Sequence, residues 1–451
     1  MLKNMIRIIS LLLVLVACFP LSSFGMGLNV DGEVRLRYEM FDNFNDKYYG
    51  ANPSKGEAED VFLLSRIRLG LDYTATDTLS ARFCIQDARA FGWGFSHEDW
   101  YSREFGMEDN PQEDYLEFSE AYIIKSFERL PLTLIAGRQR IMYGDGRAFG
   151  PGEWKNSGRW IWDAVKFSWK RDKDYLDLFY GKTVLHDHDD FSLTHRHGYE
   201  GAGLYGHIGY GTFSFEPMAV MKANRHGNEL YERSKTYSGG LRFYDTDVGN
   251  LFYDAMFIRS FGTKRLTSGK EVDIGAYGYH AEAGYNFRSI PWKPRFGMAY
   301  SFAKGDNPAT EKDERFDGVF GASDRYYGRM NLMQWSNMKD MEISIIIKPS
   351  ETLQIKGEYH RFLADEKGDK WLSYKIASMT EDHYGDEIDV VTTYTLNRSW
   401  GLQAGAGCFM PGRYVREAST RVSDITDNTA WSAFLQITYS FDIDLDTSEK
   451  P

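Results

Sequence analysis

Ten cations stand out because of where their spacing puts them. Arg35, Arg37, Arg66, Arg68, Arg82, Arg138, Arg140 and Lys166 fall on the polar side of segments that alternate with apolar residues. Arg147 and Arg159 sit in a glycine-rich loop between two such segments. A guanidinium grips a carboxylate through two parallel hydrogen bonds and stays charged at every cellular pH. Repeated along one surface, such groups would bind or conduct anions, as rings of Arg or Lys do in anion-selective pores. A structural reading competes with this one. Asp31, Glu33, Asp72, Glu282, Glu342, Glu358, Glu387 and Asp389 share the same kind of position, and they could simply pair with these cations and with Arg242, Arg295 and Lys356. Acids gathered on an opposite wall would instead create a transverse field.

The densest stretch runs from Leu132 to Trp169. Two strand-like parts flank a loop that holds Asp145, Arg147, Trp154 and Arg159, with glycines at 144, 146, 150 and 152 that permit tight backbone paths. The loop reads either as an inward-folded constriction or as a turn stapled by an Asp–Arg pair.

Other chemistry is weaker. His186, His188, His195 and His197, with Asp187, Asp189 and Asp190, form two His-x-His pairs that could take zinc, copper or nickel, or could be solvated loop sequence. The acidic tract from Asp306 to Asp324 could take Ca²⁺. Cys84 and Cys408 lie far apart without clustered partners, so neither a disulfide framework nor a zinc signature follows. No Ser-His-Asp spacing stands out, so no catalytic residue and no cofactor is expected.

Strands must position the cations. Leu28, Val30, Val34, Leu36, Tyr38 and Met40 alternate with Asn29, Asp31, Glu33, Arg35, Arg37 and Glu39, a period of two over about 13 residues, enough to cross a membrane at a tilt. Eighteen such segments are legible, near 27–41, 61–73, 79–89, 114–125, 131–142, 160–171, 174–184, 198–210, 212–223, 235–246, 249–260, 271–287, 293–304, 340–348, 352–364, 385–396, 399–410 and 430–441. Long polar connections such as 42–60, 142–159, 305–339 and 365–384 alternate with short turns. A soluble sandwich has no reason to place every long loop at one end, whereas an outer-membrane barrel does. The fold expected is therefore all-β: one transmembrane antiparallel β-barrel of about 18 strands, with long extracellular loops and short periplasmic turns.

Residues 1–25 read as a secretory signal, with Lys3 and Arg7 before an apolar centre; Leu15-Val-Ala-Cys18 offers lipoprotein processing as a rival. The barrel is expected over 26–441, ending on the aromatic Phe441, with an acidic tail over 442–451. Losing 1–25 leaves 51 cations against 65 acids, a net charge of −14, which argues against a nucleic-acid partner.

Three blocks of sequence resemble the alginate export family of outer-membrane barrels. They are Gly137-Arg-Gln with Tyr143-Gly-Asp-Gly-Arg147, Trp154-Lys-Asn156 and Asp163-Ala-Val; Phe316-Asp-Gly-Val-Phe-Gly-Ala-Ser-Asp-Arg-Tyr-Tyr-Gly-Arg329; and Gly385-Asp-Glu-Ile-Asp389 with Leu402-Gln-Ala-Gly405 and Phe409-Met-Pro-Gly412. The resemblance implies a monomeric eighteen-stranded barrel in the outer membrane of a Gram-negative-type bacterium. It implies an arginine-rich passage for an anionic, uronate polysaccharide, with outer-membrane lipid and the barrel-assembly machinery as partners. Family exporters can plug the pore with a long last periplasmic connection. Here the turn at Asn397–Ser399 is too short, so loops such as 90–113 or 305–339 would have to narrow the lumen. A general or small-carboxylate porin is the alternative cargo reading, and a lipid-acting barrel enzyme or an adhesive barrel is a more distant one.

Overall fold

The computed structural model describes residues 27–43, 60–92, 94, 101–102, 107–108, 110, 112–186, 196–224, 232–321, 326–371, 376, 379–422 and 425–445. The signal segment with Cys18, His188, His195 and the end of the acidic tail lie outside these residues.

Eighteen antiparallel strands form one closed sheet. They are β1 (Gly27–Asp42), β2 (Asp60–Thr76), β3 (Leu79–Phe91), β4 (Asp114–Ser126), β5 (Leu132–Arg140), β6 (Ile161–Arg171), β7 (Asp174–Val184), β8 (His197–Tyr210) and β9 (Phe213–Asn224). There follow β10 (Arg233–Val248), β11 (Leu251–Arg265), β12 (Glu271–Asn286), β13 (Arg295–Ala303), β14 (Met338–Ile347), β15 (Leu353–Leu363), β16 (His383–Thr395), β17 (Trp400–Pro411) and β18 (Ala430–Asp444). Each strand pairs with the next, and β18 closes the ring on β1. A short helix, α1 (Arg413–Ser419), lies in the last long loop.

Alternation fixes which side each residue takes, because a period of two sends successive side chains to opposite faces. Val34, Leu36, Tyr38 and Met40 of β1 are exposed on the outside, while Arg35 and Arg37 between them are buried. The same outward exposure recurs at Val165, Phe167 and Trp169 of β6 and at Leu176, Leu178 and Tyr180 of β7. An outer surface of large apolar side chains is stable only against lipid, so the fold positions the charged residues by excluding them from that face.

Strand ends differ from the sequence expectation by up to five residues, and two of the differences bear on the architecture. The last strand runs to Asp444, three residues past Phe441, because its ladder continues along β1 through Asp31↔Asp442, Val30↔Ile443 and Asn29↔Asp444, with Ile443 still facing out. Phe441 lies over Gly32, where a Cβ would meet its ring at 2.3 Å, so the glycine makes room for the aromatic at the closing seam. The long–short alternation breaks once: β11 and β12 extend so far that only 266–270 joins them at the extracellular end.

The apolar core is inside the barrel, built where loops meet inward-facing strand residues. Phe149 and Phe320 come from loops 141–160 and 304–337, and they pack with Trp162 of β6 and Phe179 of β7 at ring separations of 4.7 to 5.5 Å. Backbone bonds knit the two loops together, from Gly150 N–H to the Phe320 carbonyl and from Phe320 N–H to the Ala148 carbonyl. The described residues of loop 304–337 thus fill the lumen, and loop 141–160 does so beside them.

Candidate functional site: charged walls around a loop-filled lumen

Arginines on β1 and β2 meet loop 141–160. Arg35 donates to the Glu153 carbonyl at 3.1 Å and to Asn156 Oδ1 at 3.0 Å. Arg37 donates to the Trp154 carbonyl at 2.8 Å and stacks over that indole at 4.0 Å. Arg66 pairs with Glu33 at 2.6 Å. The Glu153 carboxylate projects from the loop among three guanidiniums, 3.5 Å from Arg66, 3.3 Å from Arg68 and in contact with Arg140. Asn156 locks the segment: fully buried, its amide donates to the carbonyls of Ser65, Arg89 and Gln112. A backbone strand of carbonyls is a natural partner for a cationic wall, since each guanidinium has five donors to satisfy.

The wall on the other side of β17 and β18 inverts this chemistry. Glu358, Glu387 and Asp389 of β15 and β16 are buried, and they take donors from loop 304–337. Arg329 N–H reaches Asp389 at 3.0 Å, Met330 N–H reaches Glu387 at 2.8 Å, and the Arg329 guanidinium reaches Glu358 at 2.7 Å. So one loop docks by its carbonyls on arginines and the other by its amides on carboxylates. Only β17 and β18 separate the acidic patch from the cationic one, so the two sets are neighbours on one side of the barrel rather than facing walls, and each is partly spent on a loop.

The remaining cations divide. Arg82 bonds Asp31 at 2.7 Å, Asp72 at 2.6 Å and Glu120 at 2.9 Å, a structural cluster. Lys166 lies on the inner face 3.4 Å from Asp177. Arg138 is a correction: it faces outward. Its ladder partners are Ala121 and Asp163, on the face that carries Ile123, Val165 and Tyr180. There it makes a two-pronged pair with Asp163 at 2.8 and 3.0 Å, and His197 bonds the same carboxylate at 2.8 Å. The clue was in the sequence, since Leu132, Leu134 and Ala136 share the parity of Arg138. Arg140, two residues on, turns inward because β5 ends there and the chain enters the lumen at buried Ile141.

Asp145, Arg147, Trp154 and Arg159 do not converge on one point. Arg147 is buried between Asp145 (3.4 Å) and the rings of Tyr326 (4.7 Å) and Tyr327 (5.5 Å). Burial pushes the Asp145 carboxyl up, but Arg147 and Arg242 outweigh it and hold the group below its ordinary value. Arg159 lies over Trp160 at 4.7 Å.

Two cavities flank the loops. One of about 600 Å³ opens toward the extracellular end and is lined by Arg147, Arg159, Lys222, Lys264, Arg315 and Lys370, by Trp160, Tyr199 and Trp335, and by Glu232, Asp313 and Asp317. The other, of about 220 Å³, lies between loop 141–160 and the wall, lined by Arg35, Arg66, Glu153, Trp154, Tyr326, Gln403, Gln436 and Thr438. Gln403, Gln436 and Thr438 escaped the sequence reading because uncharged polar residues on alternating strands carry no distinguishing signal.

The histidine cluster does not assemble among the described residues. His186 is buried against Asp114 at 3.0 Å, and His197 belongs to the outer pair with Asp163. Asp340, Glu342 and His360 do bring ligand-capable atoms within 4.8 Å of one another, yet His360 Nδ1 already lies 3.1 Å from Asp340, and Lys356 lies 4.0 Å from Glu342.

Barrel closure, a lipid-facing belt and a loop-lined polar interior define an outer-membrane channel for solutes. Solved structures with the same fold include Acinetobacter baumannii OccAB4 (TM-score 0.60, 12% identity, 92% of this chain and 98% of that one) and OccAB1 (0.60, 9%, 93% and 97%). Pseudomonas aeruginosa OccK11 (OpdR) is another (0.55, 11%, 92% and 96%). No curated protein matches the chain by sequence. The alginate export family matches residues 26–426, and the chain belongs to that family.

Proposed function

We propose that this barrel passes anionic solutes, carboxylated sugars among them, along its arginine-bearing wall. One observation supports this most directly: Glu153 is a carboxylate already seated among Arg66, Arg68 and Arg140, with 44% of its side chain exposed. A uronate carboxylate has the same charge and geometry and would compete for the same donors. The adjoining 220 Å³ cavity adds Trp154 and Tyr326 as flat surfaces and Gln403, Gln436 and Thr438 as hydroxyl partners, a mixture that suits a sugar ring.

The filled lumen favours small carboxylates or short oligosaccharides over a long polymer while the loops stay docked, since the spaces left are cavities of about 600 and 220 Å³. Planar-bilayer reversal potential under a salt gradient tests the charge preference. The wild type is expected to prefer anions, and Arg66→Gln with Arg68→Gln should move it toward cations and weaken block by uronate disaccharide. A folded double variant with unchanged potential and block would sink the proposal.

A further inference from the structure

The outer face of β9 to β11 gathers exposed cations above its apolar residues. Alternation places Arg233 and Lys235 of β10 and Arg259 and Arg265 of β11 on the same outward side as Tyr237, Phe257 and Phe261, and all four cations are exposed. Arg233 stands opposite Arg265, and Lys235 opposite Thr263, at the extracellular end of the two strands. They line a cleft of about 530 Å³ that also takes in Ser234 and Glu271. Glu271 and Asp273 are the acids next to them on β12, so four cations face two carboxylates. Immediately below runs an aromatic row, with Tyr237 stacked on Phe261 at 5.7 Å and Arg259 over Tyr277 at 5.7 Å.

A second cavity continues from there toward the membrane centre. It holds about 470 Å³ and is lined by Leu204, Pro217, Ala219, Gly239, Leu241 and Phe257. Ala219 and Gly239 are ladder partners, and a Cβ at Gly239 would meet nothing within 4 Å, so small residues leave a furrow in the belt. Gly239 is also the partner of Arg259, which stands at the top of the furrow. Four residues separate Lys235 from Gly239, roughly 13 Å along a strand.

Cations in the headgroup zone directly above an apolar furrow match one ligand: a lipid with an anionic phosphate head and an acyl chain. We propose that this face binds a phosphorylated glycolipid of the outer leaflet, its phosphate among Arg233, Lys235 and Arg265 and one acyl chain along Gly239. Arg and Lys near a charged membrane surface favour anionic headgroups, and guanidinium suits phosphate in particular. The proposal does not depend on what the lumen conducts.

The test counts lipid retained on the detergent-washed barrel by intact mass spectrometry. Three probes are added in turn: bisphosphorylated, acylated glucosamine disaccharide, the same lipid without phosphates, and inorganic phosphate. Wild type should hold one phosphorylated lipid at least tenfold more tightly than the phosphate-free form, a comparison that needs no variant. The triple change Arg233→Gln, Lys235→Gln, Arg265→Gln should lose that preference. Gly239→Leu, which fills the furrow and keeps every cation, should weaken retention while conductance stays as in wild type. Equal retention of both lipids, a folded triple variant that binds as wild type does, or displacement of the lipid by stoichiometric inorganic phosphate would each overturn the proposal.

Discussion

Glu153 and Asp145 show how a single loop carboxylate governs an arginine. Glu153 is partly exposed and shared among three guanidiniums, of which Arg66 keeps Glu33 and Arg68 keeps Gln86 when its charge is removed. Glu153→Gln is expected to raise anion preference by about fivefold in permeability ratio, equivalent to on the order of 1 kcal/mol for one charge at a partly solvated site. The reversal potential measures this, and a shift toward cations would contradict it. Asp145 behaves differently because it is buried against Arg147, whose backbone N–H it also accepts at 2.9 Å. Its folded carboxyl lies below the ordinary value, so its contribution is complete above that value and is lost as pH falls through the depressed one. Acidification below about pH 4 should therefore loosen loop 141–160, seen as larger or noisier single-channel current. Asp145→Asn should show the loosened behaviour already at neutral pH, and a variant that titrates like wild type would remove Asp145 from the account. These pairings were not legible in the sequence. Alternation assigns a side chain to a face, but Arg35 and Arg37 bond loop carbonyls more than 110 residues away, and Arg66 and Arg68 meet a loop acid more than 80 residues away.

Strands were legible because their information is local and repeated. The parity of β1 alone sorts lipid-facing Leu36 from buried Arg35, and eighteen repeats of that pattern give the barrel. The loops were legible only as lengths. Their docking depends on residues such as Asn156, a single polar side chain that meets three carbonyls from β2, β3 and the preceding loop. Asn156→Ala strands those carbonyls and the Arg35 guanidinium, at about 1–3 kcal/mol for each buried group left unsatisfied. Loop 141–160 should undock while the barrel stays closed, which protease nicking within 142–158 alongside unchanged heat-modifiable gel migration would report. The closing seam makes a separate demand. Phe441 covers Gly32 on the lipid side, and Phe441→Asp would put a carboxylate there, costing about 1–3 kcal/mol according to depth. Less folded barrel in the outer membrane is expected, and wild-type amounts would show that the Ile443 end of β18 suffices.

At the scale of the whole molecule, two charged walls each hold a loop, and an aromatic weld joins the loops to one another. Phe320 is the centre of that weld: fully buried, it contacts Phe149, Trp160 and Trp162 at 4.7 to 5.5 Å, and its backbone makes two of the inter-loop hydrogen bonds. Any solute larger than the flanking cavities must part the loops from each other or from a wall. Parting them at the walls would expose arginines and carboxylates that lose charged partners, whereas parting them at the weld sacrifices apolar contact and hydrogen bonds between uncharged groups. Phe320→Ala removes a buried aromatic, a change that costs about 3–5 kcal/mol in a packed core. The cost falls on loop–loop association, because the strand ladders are untouched. The variant should conduct more, admit longer uronate oligosaccharides as blockers, and keep its charge preference, since Arg35, Arg66 and Arg68 remain on the wall. That preference should fade between about 0.15 M and 1 M salt, as the screening length falls from about 8 Å to 3 Å in the widened lumen. Unchanged conductance in a folded Phe320→Ala barrel would mean that solutes do not pass between these loops, and the route would then lie along the 220 Å³ cavity beside β1 and β18.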